Sequence, residues 1–332
     1  MNSKKAKKIA TWIIVPLMAL IFILDITTVV LFNKYCNRIN IEKEKFDYSN
    51  GDDRIHFLNT ANSDAILIES NGKFALIDSG EGNSNPRRKT EYKGFEKETV
   101  DYILKTCSDE NGTAHLSFIL GTHCHYDHIG SFHAIITNDN IKIEKAYFKG
   151  CDENMFSKYD FKWGLIDTYN QIISDLENKN VPVIHNLPDK PFEFGDFTIQ
   201  FYNTVNSPDL AGKGENSESV GVKVVKGKKS AFLAADITRP SGVEELVVDK
   251  IGDIDLLKIG HHGYYGSSSM KFLKVLKPEI AIVTNQLGKV YPNVKWNLVM
   301  VAKCPFFATY DNNGIIASFT DSDEIIFTNQ IY

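Results

Sequence analysis

The chain has too few cysteines, too irregularly placed, to be a disulfide scaffold. Its five, Cys36, Cys107, Cys124, Cys151 and Cys304, are odd in number, scattered and without a CxxC pair. Excess positive charge is also missing: the formal net charge is −5 at pH 7, so the overall balance does not advertise a nucleic-acid binder. Arg87-Arg88-Lys89 and Lys226-Gly227-Lys228-Lys229 are small basic patches of the kind that usually decorate solvated turns. No internal repeat and no low-complexity tract is present. What remains is an ordinary globular composition, 43% hydrophobic and 24% charged, in 332 residues, which suits one folded domain with an appendage.

The appendage is amino-terminal. Lys4, Lys5, Lys7 and Lys8 precede Ile9 to Phe32, an apolar stretch long enough to span a bilayer and interrupted only by Pro16, Asp25 and a few threonines. The lysines favour a cytoplasmic amino terminus, which would leave everything after Asn33 outside. A cleaved signal peptide is the competing reading. The apolar region is long for one, no small-x-small site follows it, and Lys34-Tyr35 before Cys36 is not a lipoprotein box. The expected division is therefore a basic tail at 1–8, a signal anchor at 9–32, a polar stalk at 33–53 and a catalytic domain at 54–332. Asp25 inside the span is costly and marks a possible helix partner, though a carboxylate near the outer leaflet is tolerated.

Residues 117–128 read Ser-Phe-Ile-Leu-Gly-Thr-His-Cys-His-Tyr-Asp-His. The run from Leu116 to Leu120 predicts a buried strand, and Gly121-Thr122 lets the chain leave the sheet. Alternate residues of the following loop point the same way, so His123 and His125 can converge on one ion. Asp127 and His128, at the entry to a helical stretch through Ile136, could face a second. Imidazoles with a carboxylate suit zinc first, with manganese or iron as alternatives, and an incomplete protein shell leaves room for water. A histidine standing alone would more often be a packed or surface residue; three histidines and an aspartate in this order after a strand are not explained that way. Cys124 should alternate away from the ligands as a packed neutral thiol.

Two further stations lie downstream. Ser230 to Ala235 reads as an apolar strand ending in Asp236, and Asp255 to Ile259 as another ending in Gly260-His261-His262-Gly263. A strand-end aspartate is usually a cap, and a histidine pair near glycine is often surface. Together with the first motif they supply a bridging carboxylate and a second-site imidazole. His133 and His185 read as helix-face and strand-end residues, outside this set.

Short strands are expected at Ile55 to Asn59, Ala65 to Glu69 and Phe74 to Asp78, and an amphipathic helix at Thr99 to Cys107. A strand around Ala146 to Phe148 and a helix from Asp167 to Lys179 follow. Further strands are expected at Phe197 to Tyr202, Val220 to Val225, Ile280 to Thr284, Phe307 to Tyr310, Ile315 to Phe319 and Glu324 to Thr328. Helices are expected at Val243 to Ile251 and Ser267 to Leu276. Strands, then helices, then strands again predict an α/β fold of two sheets sandwiched between helical layers.

Leu76-Ile77-Asp78-Ser79-Gly80, the HxHxDH at 123–128, Ala234-Ala235-Asp236 and Lys258-Ile-Gly-His-His-Gly263 together resemble the metallo-β-lactamase fold hydrolases. The resemblance implies a four-layer αββα sandwich. Two branches look closer. One is the hydrolase domain of the competence protein that imports DNA, similar in Lys-x-x-His-His-Gly, the Ser-rich helix start and Lys277-Pro278-Glu279-Ile280. The other is the teichoic acid phosphorylcholine esterase, also called choline-binding protein E. It looks similar from about Ile55 to Gln286, including Ala146-Tyr-Phe-Lys149, the Trp163 segment, Val181-Pro-Val-Ile184, Phe194 to Gln200, Asn216-Ser-Glu-Ser219 and Gly227-Lys-Lys229.

Carried onto this sequence, the resemblance implies two divalent ions: His123 and His125 on one, Asp127 and His128 on the other, Asp236 bridging and His262 completing the second site. His261 would lie close to the substrate phosphate, so His261, Asp127 and Asp236 are the expected catalytic residues. The roles of His261 and His262 are not separable by sequence. The usual third histidine of the first site is not evident, the Asn216 to Ser219 turn taking its place, and the choline-binding repeats of the esterase are absent.

The expected function is an anchored, extracytoplasmic phosphoesterase acting on a cell-surface phosphate ester such as phosphorylcholine on teichoic acid. Tyr159, Phe161, Trp163, Tyr264 and Tyr265 are candidates to face a choline ammonium, though each is as readily core or rim packing. A competence-type nuclease on extracellular DNA is the alternative, for which a basic groove would be expected. A non-catalytic wall-binding ectodomain has no reason to keep HxHxDH, Asp236 and HHG together. Lactone or β-lactam hydrolysis is disfavoured by the missing histidine.

Overall fold

The structure is a computed structural model that describes residues 3–35, 53–84 and 93–329. Cys36, most of the expected stalk, and Arg87-Arg88-Lys89 lie outside the described residues.

A helix runs from Ser3 to Tyr35, and its Thr11–Leu31 portion is long and apolar enough to cross a membrane. The described side chains from Thr11 to Val30 are exposed. Leu31 and Tyr35 at its end pack against the main body.

Two sheets make the body. The first has eight strands in spatial order Ile325–Thr328, Ile315–Phe319, Asp53–Phe57, Ala65–Ser70, Lys73–Ser79, Phe118–Gly121, Ala146–Phe148 and Val183–Ile184. The second has seven, Phe306–Ala308, Ile280–Val283, Leu256–Lys258, Lys229–Leu233, Gly221–Lys226, Phe197–Tyr202 and Phe192–Phe194. Their inner faces share one core, in which Ile55, Phe57, Phe118 and Leu120 meet Phe197, Val222, Ala231 and Leu256. The period of two is visible in Lys229–Leu233, where Ala231 and Leu233 join this core and Phe232 faces the opposite side.

That opposite side is covered by Val243–Ile251, Met270–Leu276 and Pro292–Asn297, through Val247, Val248, Phe272, Leu273 and Val294. Glu96–Cys107, Phe132–Thr137 and Leu165–Asn178 cover the outer face of the first sheet, through Ile103, Phe132, Ile135 and Ile172. The result is the expected four layers, helix, sheet, sheet, helix.

Several boundaries differ from expectation for local reasons. The run from Leu116 to Leu120 is two strands: Ala114–Leu116 pairs with Ile141–Ile143, and Phe118–Gly121 enters the main sheet. The helix expected from Ser267 starts at Met270, because the Ser269 hydroxyl accepts the Phe272 N–H and caps it. The helical stretch after the HxHxDH is broken into Tyr126–Ile129 and Phe132–Thr137 at Gly130, whose backbone is so close to Gly82 that a Cβ there would stand 2.5 Å from the Gly82 nitrogen. The strand expected to Tyr310 ends at Ala308 and turns into the short helix Thr309–Asn312.

Within each sheet one half is parallel. Lys73–Ser79, Phe118–Gly121 and Ala146–Phe148 run together in the first, and Lys229–Leu233, Leu256–Lys258 and Ile280–Val283 in the second. The carboxyl ends of parallel strands are where an open sheet offers a crevice. Asp78 is the next-to-last residue of such a strand, and the His123–His128 loop, Asp236, His261-His262 and Thr284 follow the ends of others.

Candidate metal centre

The HxHxDH loop begins two residues past Gly121. His123 Nε2 and His125 Nδ1 stand 3.1 Å apart, and Asp236 Oδ2 lies 3.7 Å from His123 Nε2. These three form one buried cluster of potential ligand atoms. A second cluster brings together Asp64, His128, Asp236 and His262. In it His128 Nε2 is 3.1 Å from His262 Nε2 and 3.1 Å from Asp236 Oδ1, His262 Nε2 is 3.3 Å from the same oxygen, and Asp127 Oδ2 is 3.7 Å from His262 Nε2. Donors about 2.1 Å from one ion at tetrahedral angles stand about 3.4 Å apart, so these separations are the edges of a site of that size.

Hydrogen bonding prepares the imidazoles for that use. His128 Nδ1 is 2.7 Å from Asp78 Oδ2, and His262 Nδ1 is 3.2 Å from both Thr284 Oγ1 and Asp64 Oδ1. His123 Nδ1 is 3.1 Å from Thr122 Oγ1, whose own proton goes to Asp78 at 2.8 Å. His125 Nε2 is 3.3 Å from Asp160 Oδ1. Each outer nitrogen therefore has an acceptor for its proton, which leaves the inner nitrogen as the one turned to a cation. Asp236 Oδ1 is buried with no hydrogen-bond donor properly aimed at it, an orphaned oxygen turned toward the same point.

Charge agrees with geometry. Burial opposes a charge on His128, but Asp236 and Asp78 override it and hold its pKa well above the ordinary value. The pocket is thus a strong attractor for positive charge. Burial opposes ionisation of Asp236 too, yet His128, His262 and His261 pull it well below the usual carboxylate range. Burial, helped by His128 and His125, keeps His123 well below its ordinary value and so neutral, the form that ligates. The residues present fit a pair of divalent cations sharing Asp236.

Backbone strain is concentrated here. Asp78, Ala235, His261 and His262 all take positive φ, between 44° and 56°, which side-chain-bearing residues seldom adopt. Gly260 must be glycine, because a Cβ there would stand 2.1 Å from the Ile237 carbonyl oxygen. Lys258 is wholly buried, paired with Asp64 and donating to the Ala235 carbonyl at 2.9 Å, so it fixes the turn that carries Asp236.

His261 differs from its neighbour. Its side chain is 29% exposed against 0% for His262, its Nε2 is 3.7 Å from Asp236 Oδ2, and its buried Nδ1 has no hydrogen-bond partner. It stands at the mouth of the site while His262 lies at its floor. Tyr264 lies edge-on to both rings, 5.6 Å and 6.2 Å away, and Trp163 lies edge-on to His125 at 5.2 Å. Tyr159, Phe161 and Tyr265 are exposed. His133 bonds Asp175 and His185 bonds the Phe148 carbonyl, both apart from the two clusters.

Asp64, Asp160 and Glu215 carry no signal of their own in the sequence, since each acts through a partner remote in the chain. Asp64 precedes a strand as any cap would, and Glu215, which accepts the Cys124 N–H at 2.7 Å, sits beside the Asn216 to Ser219 turn. Asp78 is visible as part of Leu76 to Gly80, but its task, holding His128 and Thr122, is not.

No family model matches the chain. It is 25% identical over 223 residues to ComE operon protein 3 of Bacillus subtilis, covering 66% of this chain and 25% of that protein. It is 29% identical over 84 residues to Recombination protein 2 of Haemophilus influenzae, covering 25% of this chain and 10% of that protein. The chain thus spans a quarter or less of the length of these curated relatives. A solved structure, the metallo-β-lactamase fold protein YhfI from Bacillus subtilis, aligns with a TM-score of 0.45 at 12% identity, covering 77% of this chain and 95% of that one. The back-to-back sheets, the outer helices and the meeting of the HxHxDH loop, Asp236 and His262 at one sheet edge give this chain the metallo-β-lactamase fold, with a resemblance to the competence-protein hydrolases.

Proposed function

We propose that the protein is a metal-dependent hydrolase of phosphate esters, held at the membrane by its amino-terminal helix with the catalytic domain on the outer face. The observation that carries the reading is the pair of clusters sharing Asp236, in which four imidazoles have their outer nitrogens occupied by hydrogen-bond partners and their inner ones turned to the cluster. His123, His125 and Asp236 would hold one divalent cation; Asp127, His128, His262 and Asp236 would hold the other, with zinc favoured by the nitrogen-rich donor set. Such ions, when bound, supply activation of water near neutral pH and neutralisation of charge on phosphoryl oxygens.

The chain's own residues supply the rest. Asp236 and Asp127 fix the positions of the reacting groups from the buried side. His261, at the mouth, has an imidazole free to donate to a phosphoryl oxygen or to the departing alkoxide. Trp163 and Tyr264 bring aromatic rings beside the site histidines, and the exposed Tyr265 follows Tyr264, side chains of the kind that an ester carrying a quaternary ammonium such as phosphorylcholine requires. The lysines at 4, 5, 7 and 8 before an apolar helix favour the outer placement of the domain.

A second reading, cleavage of a polynucleotide phosphodiester, is favoured by the likeness to ComE operon protein 3 and Recombination protein 2. The test is an assay of the full chain in detergent, loaded with zinc or manganese, against bis-p-nitrophenyl phosphate, p-nitrophenyl phosphorylcholine and single-stranded DNA, beside a His125→Ala, Asp127→Ala double variant. Metal-dependent turnover lost in the variant is expected, with the choline ester and the DNA separating the two readings. Equal rates for both proteins on every substrate would end the hydrolase proposal.

A further inference from the structure

Another convergence stands on the same loop. Cys124 Sγ, Cys151 Sγ and a Glu215 carboxylate oxygen lie within 4.8 Å of one another. Strand register brings the sulfurs together: Gly121 pairs with Phe148 on parallel neighbours, and Cys124 and Cys151 each lie three residues beyond that pair. Cys124 is buried and Cys151 half-buried.

Glu215 makes this more than a pair of thiols. Its residue is 0% exposed, and its Oε1 accepts the Cys124 N–H at 2.7 Å. Its Oε2 is buried without any hydrogen-bond partner. Such an atom is costly to bury, and a native fold seldom leaves one without a reason. The excess negative charge of such a ligand set around a dication would also be balanced here. Lys149, nearly buried, sits 3.7 Å from Glu218 Oε2 and exerts its positive field on both Glu215 and Cys124.

We propose that Cys124, Cys151 and Glu215 form a third metal site, for a thiophilic divalent cation such as Zn²⁺, separate from the histidine and aspartate clusters. Two thiolates and a carboxylate are a donor set that soft and borderline cations prefer over magnesium or calcium. On binding, each thiol gives its proton to solvent, and so does the Glu215 carboxyl, which burial pushes up to about 8 in the metal-free protein, so that three anionic ligands face a dication and the ammonium of Lys149 balances the remainder. No electron is transferred. The site would tie together three segments: the loop carrying His123 and His125, the chain after Ala146–Phe148, and the turn Glu215–Glu218, whose first residue accepts the Cys124 N–H. Its role is therefore to hold that loop in place, and it does not rest on the substrate assigned above.

Cobalt distinguishes the sites, because only thiolate ligation gives an intense near-ultraviolet sulfur-to-cobalt charge-transfer band. The full chain in detergent, kept reduced with a phosphine, is titrated with Co²⁺ and its metal content measured after desalting. The expected result is a thiolate band and about three ions per chain, falling to no band and about two ions in Cys151→Ser and Cys151→Ala. Glu215→Gln should keep the band but weaken cobalt binding there about tenfold or more. Circular dichroism on each variant identifies any that fail to fold, and Glu215→Gln then carries the test. A wild-type protein without a thiolate band, or a band that survives in both Cys151 variants, overturns the proposal. So does a protein that is isolated with a Cys124–Cys151 disulfide and takes up no thiolate-bound cobalt once reduced.

Discussion

His128 Nε2 and His262 Nε2 face each other at 3.1 Å across a separation of 134 positions in the chain. Both rings spend their Nδ1 protons on outer acceptors, Asp78 for one and Asp64 with Thr284 for the other. Two imidazole nitrogens that close in water-free surroundings need positive charge between them, either the proton that Asp236 and Asp78 favour on His128 or a cation in its place. This pair defines one cluster more sharply than either histidine could alone.

Asp78 should therefore matter to metal affinity rather than to folding alone. In Asp78→Asn the amide can still accept from Thr122, but its hold on the His128 proton weakens. Competition with a chromogenic chelator should show affinity at the His128 cluster reduced about 10- to 100-fold, with far-ultraviolet circular dichroism unchanged.

Lys258 is a charge that cannot be removed without consequence. Lys258→Met leaves Asp64 ionised and buried, and urea denaturation should show a loss of about 3–5 kcal/mol. Combining it with Asp64→Asn should restore part of that loss, the signature of coupled partners.

Asp236 and His261 should separate in kinetics. Asp236→Asn is expected to lose bound metal and to lower turnover on bis-p-nitrophenyl phosphate by about 10³-fold. His261→Ala should retain its metal content, measured by elemental analysis, while turnover falls by about 10²-fold. Loss of metal in both would place His261 among the ligands instead.

Glu244 gives a pH dependence remote from the metal residues. Burial raises its carboxyl from 4.5 to about 7, although the Ser269 N–H pulls the other way. The fold favours its protonated form, so this contribution to stability is complete below about pH 4.5 and is lost as pH rises through about 7. Glu244→Gln removes the loss. Chemical denaturation from pH 5 to pH 8 should show the variant gaining on the wild type by on the order of 2 kcal/mol, and parallel curves would refute the assignment.

Legibility followed distance along the chain. His123 to His128 lie in one loop after one strand, so spacing alone put them together. Asp236 and His262 were recognisable as strand ends, and the layering followed from the order of strands and helices. Asp64, Asp160 and Glu215 were not recognisable, because a carboxylate that steadies a histidine or receives an amide proton has no required spacing from it. Helix starts were blurred for a related reason: Ser269 caps through its own side chain, and the serines before it gave no sign of which one would do so.

The shared edge of the two sheets has a consequence for the life of the protein. His128 is carried on the first sheet, while Asp236 and His262 are carried on the second. An ion gripped by all three acts as a rivet between halves that otherwise adhere through apolar contact, and a folded-state ligand adds stability in proportion to the logarithm of its supply. In metal-poor surroundings the sheets would part more often, exposing backbone to proteases. The lifetime of the protein would then report how much metal its surroundings contain.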